Sequence, residues 1–467
     1  MNLTRSGKGP LRAPMAALAA MLMTANAAAE PSLKLEPSKR LLFAPNELSV
    51  SGALPGAAVT LTAALTDATG REWSSTATFH ADSNGRVDPA RQAAVRGAYT
   101  GVDARGLYWS MLPLPADSLT PIPPRAADWP SLPRFAVDEA VAVTVTARFP
   151  ASLQSRKDTE LVATQEILFM AEGVRRTPVE GQPFEGVLFE AAGPGPHPAV
   201  MVITGSGGGA PERSAAMLAS HGVTALALAH FNYPGRPDEL ANIPLEYFYT
   251  AADWLRNRTG ASRIGLTGGS RGGEGSLLLA AMNPEPFGAV AAGVPSNVRW
   301  GGCCSPEASS APAWTYNGAP LDGYRENEDY GEWQEEDGPV DYIRMFLGGM
   351  LEPGDAAIPV EKIEAPILLL SGDSDELWPS AVAGDAVLAR LRAHDFAFPA
   401  EHIAYPGAGH VASGEFLITS LSDRVVHPVT GTEIPLGGTA ALNAAAMVDA
   451  FARKVAFFKE HLPTASP

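Results

Sequence analysis

The chain has 467 residues, more than a single hydrophobic core usually supports, so two domains are expected. Apolar residues at 46% and charged residues at 18% describe a folded globular protein and exclude a disordered one. The formal charge of −17 excludes a nucleic-acid partner, because a phosphate backbone is held by dense Lys and Arg that this chain lacks.

The first stretch, MNLTRSGKGPLRAPMAALAAMLMTANAAAEP, carries Arg5, Lys8 and Arg12, then an apolar run from Ala13 to Met23, then Ala27 and Ala29 in an A-x-A arrangement. This pattern predicts a secretory signal, residues 1–29, cut after Ala29 and leaving a periplasmic or secreted protein. The apolar run is short of the roughly 20 residues that a spanning helix needs, and no stable membrane insertion is expected after cleavage.

Residues 30–172 are expected to form an antiparallel β-sandwich. Short alternating stretches such as AVTLTAALTD, SSTATFHAD, YWSMLPL and VAVTVTARF are separated by Gly, Pro, Asn and Asp. This part has no nucleophile context and no glycine-rich loop, so its reading is an accessory domain, with carbohydrate binding as the alternative role.

From residue 173 to 467 the texture changes. AVMVITGS (199–206), VTALALAHF (223–231), RIGLTGG (263–269), FGAVAAGVPS (287–296) and APILLLSGD (365–373) are near-continuous apolar runs, as strands buried on both faces require. Helical patterns intervene, as in LEYFYTAADWLRNR (245–258), so a mostly parallel sheet with helices on both faces is expected. A Trp- and acid-rich segment, about 299–359, breaks this rhythm and reads as a cap over the C-terminal edge of the sheet, where such folds bind ligands. It contains the two cysteines, Cys303 and Cys304, which are adjacent. In an oxidising compartment a vicinal disulfide, an intermolecular bridge or oxidation products are the choices, and a structural or incidental role is expected. Adjacent cysteines without clustered partners make a poor metal site, and nothing in the sequence calls for a metal or a cofactor.

The chemistry is concentrated in IGLTGGSRGGEG (264–275). Gly268, Ser270 and Gly272 form G-x-S-x-G between a strand and a helix, the setting in which a serine nucleophile is exposed on a tight turn. A glycine-rich turn without chemistry is the bland alternative for the motif alone. Partners are expected in the chain order Ser, acid, His. LLLSGDSDELWPS offers Asp375, three residues after Gly372, with Asp373 as the fallback. HIAYPGAGHVAS offers His410 after a glycine-rich bend, whereas His394, His402 and His427 read as surface or packing residues. The oxyanion hole is expected from the N–H of Arg271 and from the loop TGSGGGAPER, through Gly205, Ser206, Gly207 and Gly208, with Gly209 also free of a side chain. That loop is not a phosphate loop, since no G-K-[ST] follows. Glu274 lies three residues after Arg271, so the two are expected to form a structural ion pair. Arg271 could alternatively attract an anionic part of the substrate.

GLYWSM, EGVRRTPV, GPGPHPAVMVITGSGGG, LASHGVTALALAHFNY, LEYFYTAADWL, GGSRGGE, GDSDELWPS and YPGAGH together resemble the acyl-CoA thioesterase and bile acid-CoA:amino acid N-acyltransferase (BAAT) family. The resemblance covers nearly all of the mature length and implies an N-terminal β-sandwich joined to an α/β-hydrolase catalytic domain. It places the family's catalytic Ser, Asp and His on Ser270, Asp375 and His410. It also implies transfer of the acyl group to water, because hydrolytic members carry serine at the elbow and amino-acid-conjugating members carry cysteine. The expected function is a serine acyl hydrolase of acyl-CoA thioesterase type acting on a small-molecule acyl thioester or ester. The alternatives are an exported carboxylesterase acting on an envelope or extracellular ester and, more distantly, a non-catalytic glycan- or protein-binding pseudoenzyme.

Overall fold

In this computed structural model the described residues are 30–114, 132–150, 158–324 and 340–462. The leader and the middle of the cap segment therefore lie outside the described residues.

Eight strands form the central sheet of the larger domain, in the spatial order Arg175–Pro178, Glu185–Glu190, Thr224–Ala229, Ala199–Ile203, Ile264–Gly269, Phe287–Gly293, Ile367–Gly372, Ala400–Tyr405. The first two form an antiparallel hairpin that pairs antiparallel with Thr224–Ala229, and the remaining pairings are all parallel.

The apolar runs follow from burial on both faces. Val200 and Val202 point into the core that contains helices Glu212–Ser220 and Ala440–His461, whereas Met201 and Ile203 point into the core that contains Leu245–Thr259, Arg271–Met282 and Ser380–Ala393. Because successive residues face opposite sides, a polar residue in the middle of such a strand would be stranded in one of the two cores. This arrangement, an α/β-hydrolase sheet with a 1-2-4-3-5-6-7-8 order, agrees with the expected fold.

The N-terminal part contains a seven-stranded sheet whose main path runs Lys39–Leu41, Thr159–Leu168, Val141–Phe149, Ala58–Thr66, Glu72–His80, Arg96–Gly97, with Leu112–Pro113 also paired to Glu72–His80. It is antiparallel apart from the Lys39–Leu41 edge. The opposing layer is small, a hairpin-like pair of Ser32–Glu36 and Glu47–Ser51.

One stretch departs from expectation. YWSMLPL does not form one strand: Gly106–Trp109 is a single helical turn and only Leu112–Pro113 is paired in the sheet. The reason is tertiary. The Trp109 carbonyl accepts the amides of Thr419 (3.0 Å) and Ser420 (3.1 Å) from the catalytic domain, and the Met111 carbonyl accepts the Ser420 hydroxyl. The sandwich core is continuous with the sheet face that contains helix Ala440–His461, where Phe43 meets Phe451 at 5.6 Å between ring centroids. The N-terminal domain is thus packed against one face of the eight-stranded sheet through a shared core.

Candidate active site

The sheet brings the ends of several strands to one edge. Ser270 follows Ile264–Gly269 and adopts φ 58°, ψ −126° between that strand and helix Arg271–Met282. A non-glycine residue there costs on the order of 1–3 kcal/mol and persists only where its surroundings enforce it. Its amide donates to the Gly293 carbonyl (3.0 Å), and its own carbonyl accepts from Glu274 N–H (3.0 Å), which fixes the turn at both ends.

The surrounding glycines are required by close approach. A Cβ on Gly268 would lie 2.6 Å from the Gly272 carbonyl oxygen, and one on Gly272 would lie 2.7 Å from the Thr204 carbonyl oxygen. The first turn of the helix is thereby pressed against two neighbouring strand ends, so side chains at these positions would push the elbow apart.

Asp375 and His410 meet directly. His410 Nδ1 is 2.8 Å from Asp375 Oδ2, and both side chains are buried. The carboxylate is fixed further by N–H donation from Leu377 (3.0 Å) and Trp378 (3.2 Å) to Oδ1 and by the Ser380 hydroxyl (2.6 Å) on Oδ2. With three donors besides the imidazole, it is held as an acceptor and cannot rotate away. Its position selects the Nδ1–H tautomer of His410 and frees Nε2 as a base. Nε2 is buried and has no hydrogen-bond partner among the described residues. The Trp378 ring packs edge-on to the imidazole at 5.6 Å.

The segment after His410 reaches the elbow. A Cβ on Gly269, the residue before Ser270, would lie 3.8 Å from the Ser413 hydroxyl, and Gly293, whose carbonyl holds Ser270 N–H, is in direct contact with Ser413. Asp373 is exposed and accepts the Gly407 amide at 2.6 Å, so it takes no part in the pair. His394 is exposed, and His402 bridges Ser371 and Asp385.

The loop after Ala199–Ile203 lies over the elbow. A Cβ on Gly205 would be 2.9 Å from the Gly269 carbonyl oxygen, 3.3 Å from Ser270 Cβ and 3.9 Å from Arg271 N. The loop amides are not equivalent. Gly208 N–H closes a turn onto the Gly205 carbonyl (3.2 Å) and Gly209 N–H donates to the Phe231 carbonyl (3.0 Å), so both amides are taken, and within the loop it is Gly205 that lies against the elbow. Gly208 therefore shapes the loop and does not donate into the site.

Arg271 and Glu274 form a buried ion pair, Nε to Oε2 at 3.1 Å, and the guanidinium also donates to the Gly301 carbonyl (2.7 Å). It is directed into protein, away from any substrate anion. Burial pushes the Glu274 carboxyl above its ordinary range, against the opposing effects of Arg271, the Trp314 indole N–H (3.0 Å) and the Trp300 amide (3.2 Å). The pair thus ties the nucleophile helix to the start of the cap. Arg299 closes the base of the cap by donating to the carbonyls of Ala357 (3.0 Å) and Asp355 (2.6 Å). Trp300 and Phe346 of the cap segment pack with Trp378, which follows the strand Ile367–Gly372, in a row at 4.9 and 5.7 Å that ends at His410.

Two features escaped the sequence reading. Ser380 holds the acid, and the signal for it was present in the WPS that follows Asp375. His427 is buried, with Nε2 3.0 Å from the Ser206 hydroxyl and 3.9 Å from Cys304 Sγ, and no local pattern announces this. Cys303 and Cys304 are joined as a vicinal disulfide.

The sheet carries a strained serine elbow and a buried His–Asp pair, equipment of the hydrolase class, and His410 Nε2 makes no hydrogen bond to Ser270 among the described residues. Residues 243–464 match the BAAT/acyl-CoA thioester hydrolase C-terminal family, and residues 44–181 match the acyl-CoA thioester hydrolase/BAAT N-terminal region. The chain is 30% identical to mitochondrial acyl-coenzyme A thioesterase 2 of Mus musculus, over 93% of this chain and 90% of that one. It is likewise 30% identical to acyl-coenzyme A thioesterase 1 of Homo sapiens, over 92% and 97% of the two chains. The chain belongs to the acyl-CoA thioester hydrolase/BAAT family. Among solved structures it is similar to a hyperthermophilic esterase of Pyrobaculum calidifontis, at 14% identity and a TM-score of 0.38, covering 62% of this chain and 86% of that one.

Proposed function

We propose that the protein is a serine acyl hydrolase that cleaves acyl thioesters of the acyl-CoA type through Ser270, His410 and Asp375. The observation that carries this reading is the buried Asp375–His410 contact of 2.8 Å, which leaves His410 Nε2 without a hydrogen-bond partner among the described residues, in a chain whose Ser270 is half-buried on a strained strand-to-helix elbow.

In the acylation step His410 Nε2 takes the Ser270 hydroxyl proton as Oγ attacks the thioester carbonyl. Negative charge develops on the carbonyl oxygen, where the amides of Arg271 and the 205–207 loop stabilise it; one such donor is worth roughly 10²–10³ in rate. The thiol departs with the proton from His410, and water, activated by the same imidazole, then releases the acid. Asp375 stabilises the imidazolium formed in each half-reaction.

The test is to compare kcat/KM for acyl-CoAs of graded chain length with that for matched p-nitrophenyl esters. A preference for the thioesters is expected, and turnover of the esters alone would replace this reading by the exported carboxylesterase.

Export through the leader is part of the proposal. It rests on the basic, apolar and A-x-A order of residues 1–29. N-terminal sequencing of protein from its native cell is expected to begin at Glu30, and an intact Met1 would contradict export.

A further inference from the structure

We propose that Cys303–Cys304 is a site of thiol–disulfide exchange whose state sets the oxyanion loop through His427 and Ser206. The inference rests on the function proposed above.

The disulfide lies beside the reaction centre but outside its chemistry. The Cys303 backbone is held on both sides by Leu240, N–H to carbonyl at 3.0 Å in each direction, and Ser305 Oγ donates to Glu239 Oε2 at 2.8 Å. The main chain of this stretch is therefore fixed, and a change at the sulfurs is expressed in the side chains. Both cysteines are partly exposed, so a small thiol can reach them.

His427 is the link. The amides of Val429 (3.4 Å) and Thr430 (3.3 Å) point at its Nδ1, which makes Nδ1 the acceptor and puts the proton on Nε2. Burial holds the imidazole below its ordinary range, so it is neutral and has this one N–H to give. Two groups compete for it, the Ser206 hydroxyl at 3.0 Å and Cys304 Sγ at 3.9 Å. A disulfide sulfur is a weak acceptor, so in the oxidised protein the proton goes to Ser206. A thiolate is an anionic acceptor, roughly twice as strong as a neutral one.

Ser206 carries the one side chain of residues 205–209, which are otherwise all glycine, and its hydroxyl adds a tether beside those that Thr204 Oγ1 makes to the Gly208 carbonyl (2.8 Å) and Asn232 Nδ2 to the Gly207 carbonyl (3.0 Å). That tether ties the loop to the hairpin of Arg424–Val426 and Glu433–Pro435, between whose strands His427 lies.

The exchange is balanced by a small dithiol. Its thiolate attacks one sulfur to give a mixed disulfide, its second thiol displaces the protein sulfur, and the products are the cyclic disulfide of the reagent, the Cys303 thiol and the Cys304 thiolate, whose proton is taken up by the buffer. Loss of the His427–Ser206 bond then loosens an oxyanion donor without altering the acyl site, so kcat falls and KM does not.

The test uses the intact protein, oxidised or treated with dithiothreitol and desalted, assayed on a p-nitrophenyl ester with thiols counted by Ellman's reagent. Reduction is expected to raise the count from zero to two and to lower kcat about three- to tenfold with KM unchanged, a loss recovered on reoxidation. The double substitution Cys303→Ser, Cys304→Ser is expected to keep kcat within about twofold of the oxidised protein and to be indifferent to dithiothreitol. His427→Gln is expected to abolish the response while leaving the thiol count at two. Two thiols with unchanged kcat, no thiols released, or an equal loss in the double serine variant would each overturn the proposal. Absence of hydrolysis of both the ester and acyl-CoA thioesters in both redox states would instead overturn the function on which it rests.

Discussion

Ser270→Ala and His410→Ala are each expected to lower kcat by on the order of 10⁴ or more, and the double variant is expected to be little worse than either. In the proposed mechanism Ser270 supplies the attacking oxygen and His410 Nε2 is the base that activates it, so once one is gone the other has nothing to act on. The residual rate comes from binding and from the loop amides. Steady-state kinetics on one thioester substrate across the four proteins checks this. Multiplying losses would mean that the two side chains act in separate steps. Folding is expected to survive in Ser270→Ala, since Ser270 is held through its backbone.

Asp375→Asn is expected to cost about 10³- to 10⁴-fold in kcat with the fold intact, whereas Asp373→Asn costs less than about tenfold. The two residues are two apart in sequence but differ completely in setting. Asp375 is buried and takes the His410 ring nitrogen, two amides and the Ser380 hydroxyl, and an amide in its place can present N–H to Nδ1 and favour the wrong tautomer. Asp373 is exposed and caps the Gly407 amide. Circular dichroism of both variants separates misfolding from lost catalysis. Equal losses at the two positions, or a larger loss at Asp373, would displace the acid.

The strands of the catalytic sheet were legible because each is buried on both faces and so reads as an unbroken apolar run, and Ile264–Gly269 and Ile367–Gly372 fall inside the stretches expected for them. Ser270 was legible because its glycines answer to contacts of 2.6–2.7 Å that no other residue tolerates. What the sequence hid depends on distant partners. The YWSM stretch alternates like a strand, yet Trp109 turns to meet Thr419 and Ser420 from the other domain. His427 sits in an unremarkable stretch, RVVHPVTG, and is placed against Ser206, 221 residues earlier, by a hairpin that carries no chemical signature of its own. The cap was visible as a break in rhythm, but its attachment through Glu274 to Trp300 and Trp314 was not, because a glutamate three residues after an arginine reads as an ion pair within one helix and names no partner outside it.

The most direct measurement of the central claim is covalent trapping of the nucleophile. The purified protein is treated with an alkyl fluorophosphonate, digested, and mapped by mass spectrometry. One adduct per chain is expected, on the peptide that contains Ser270, formed in step with loss of thioesterase activity and absent from Ser270→Ala. An adduct on any other residue, or full inactivation of the Ser270→Ala protein's remaining turnover at the wild-type labelling rate, would contradict the assignment of Ser270 as the nucleophile.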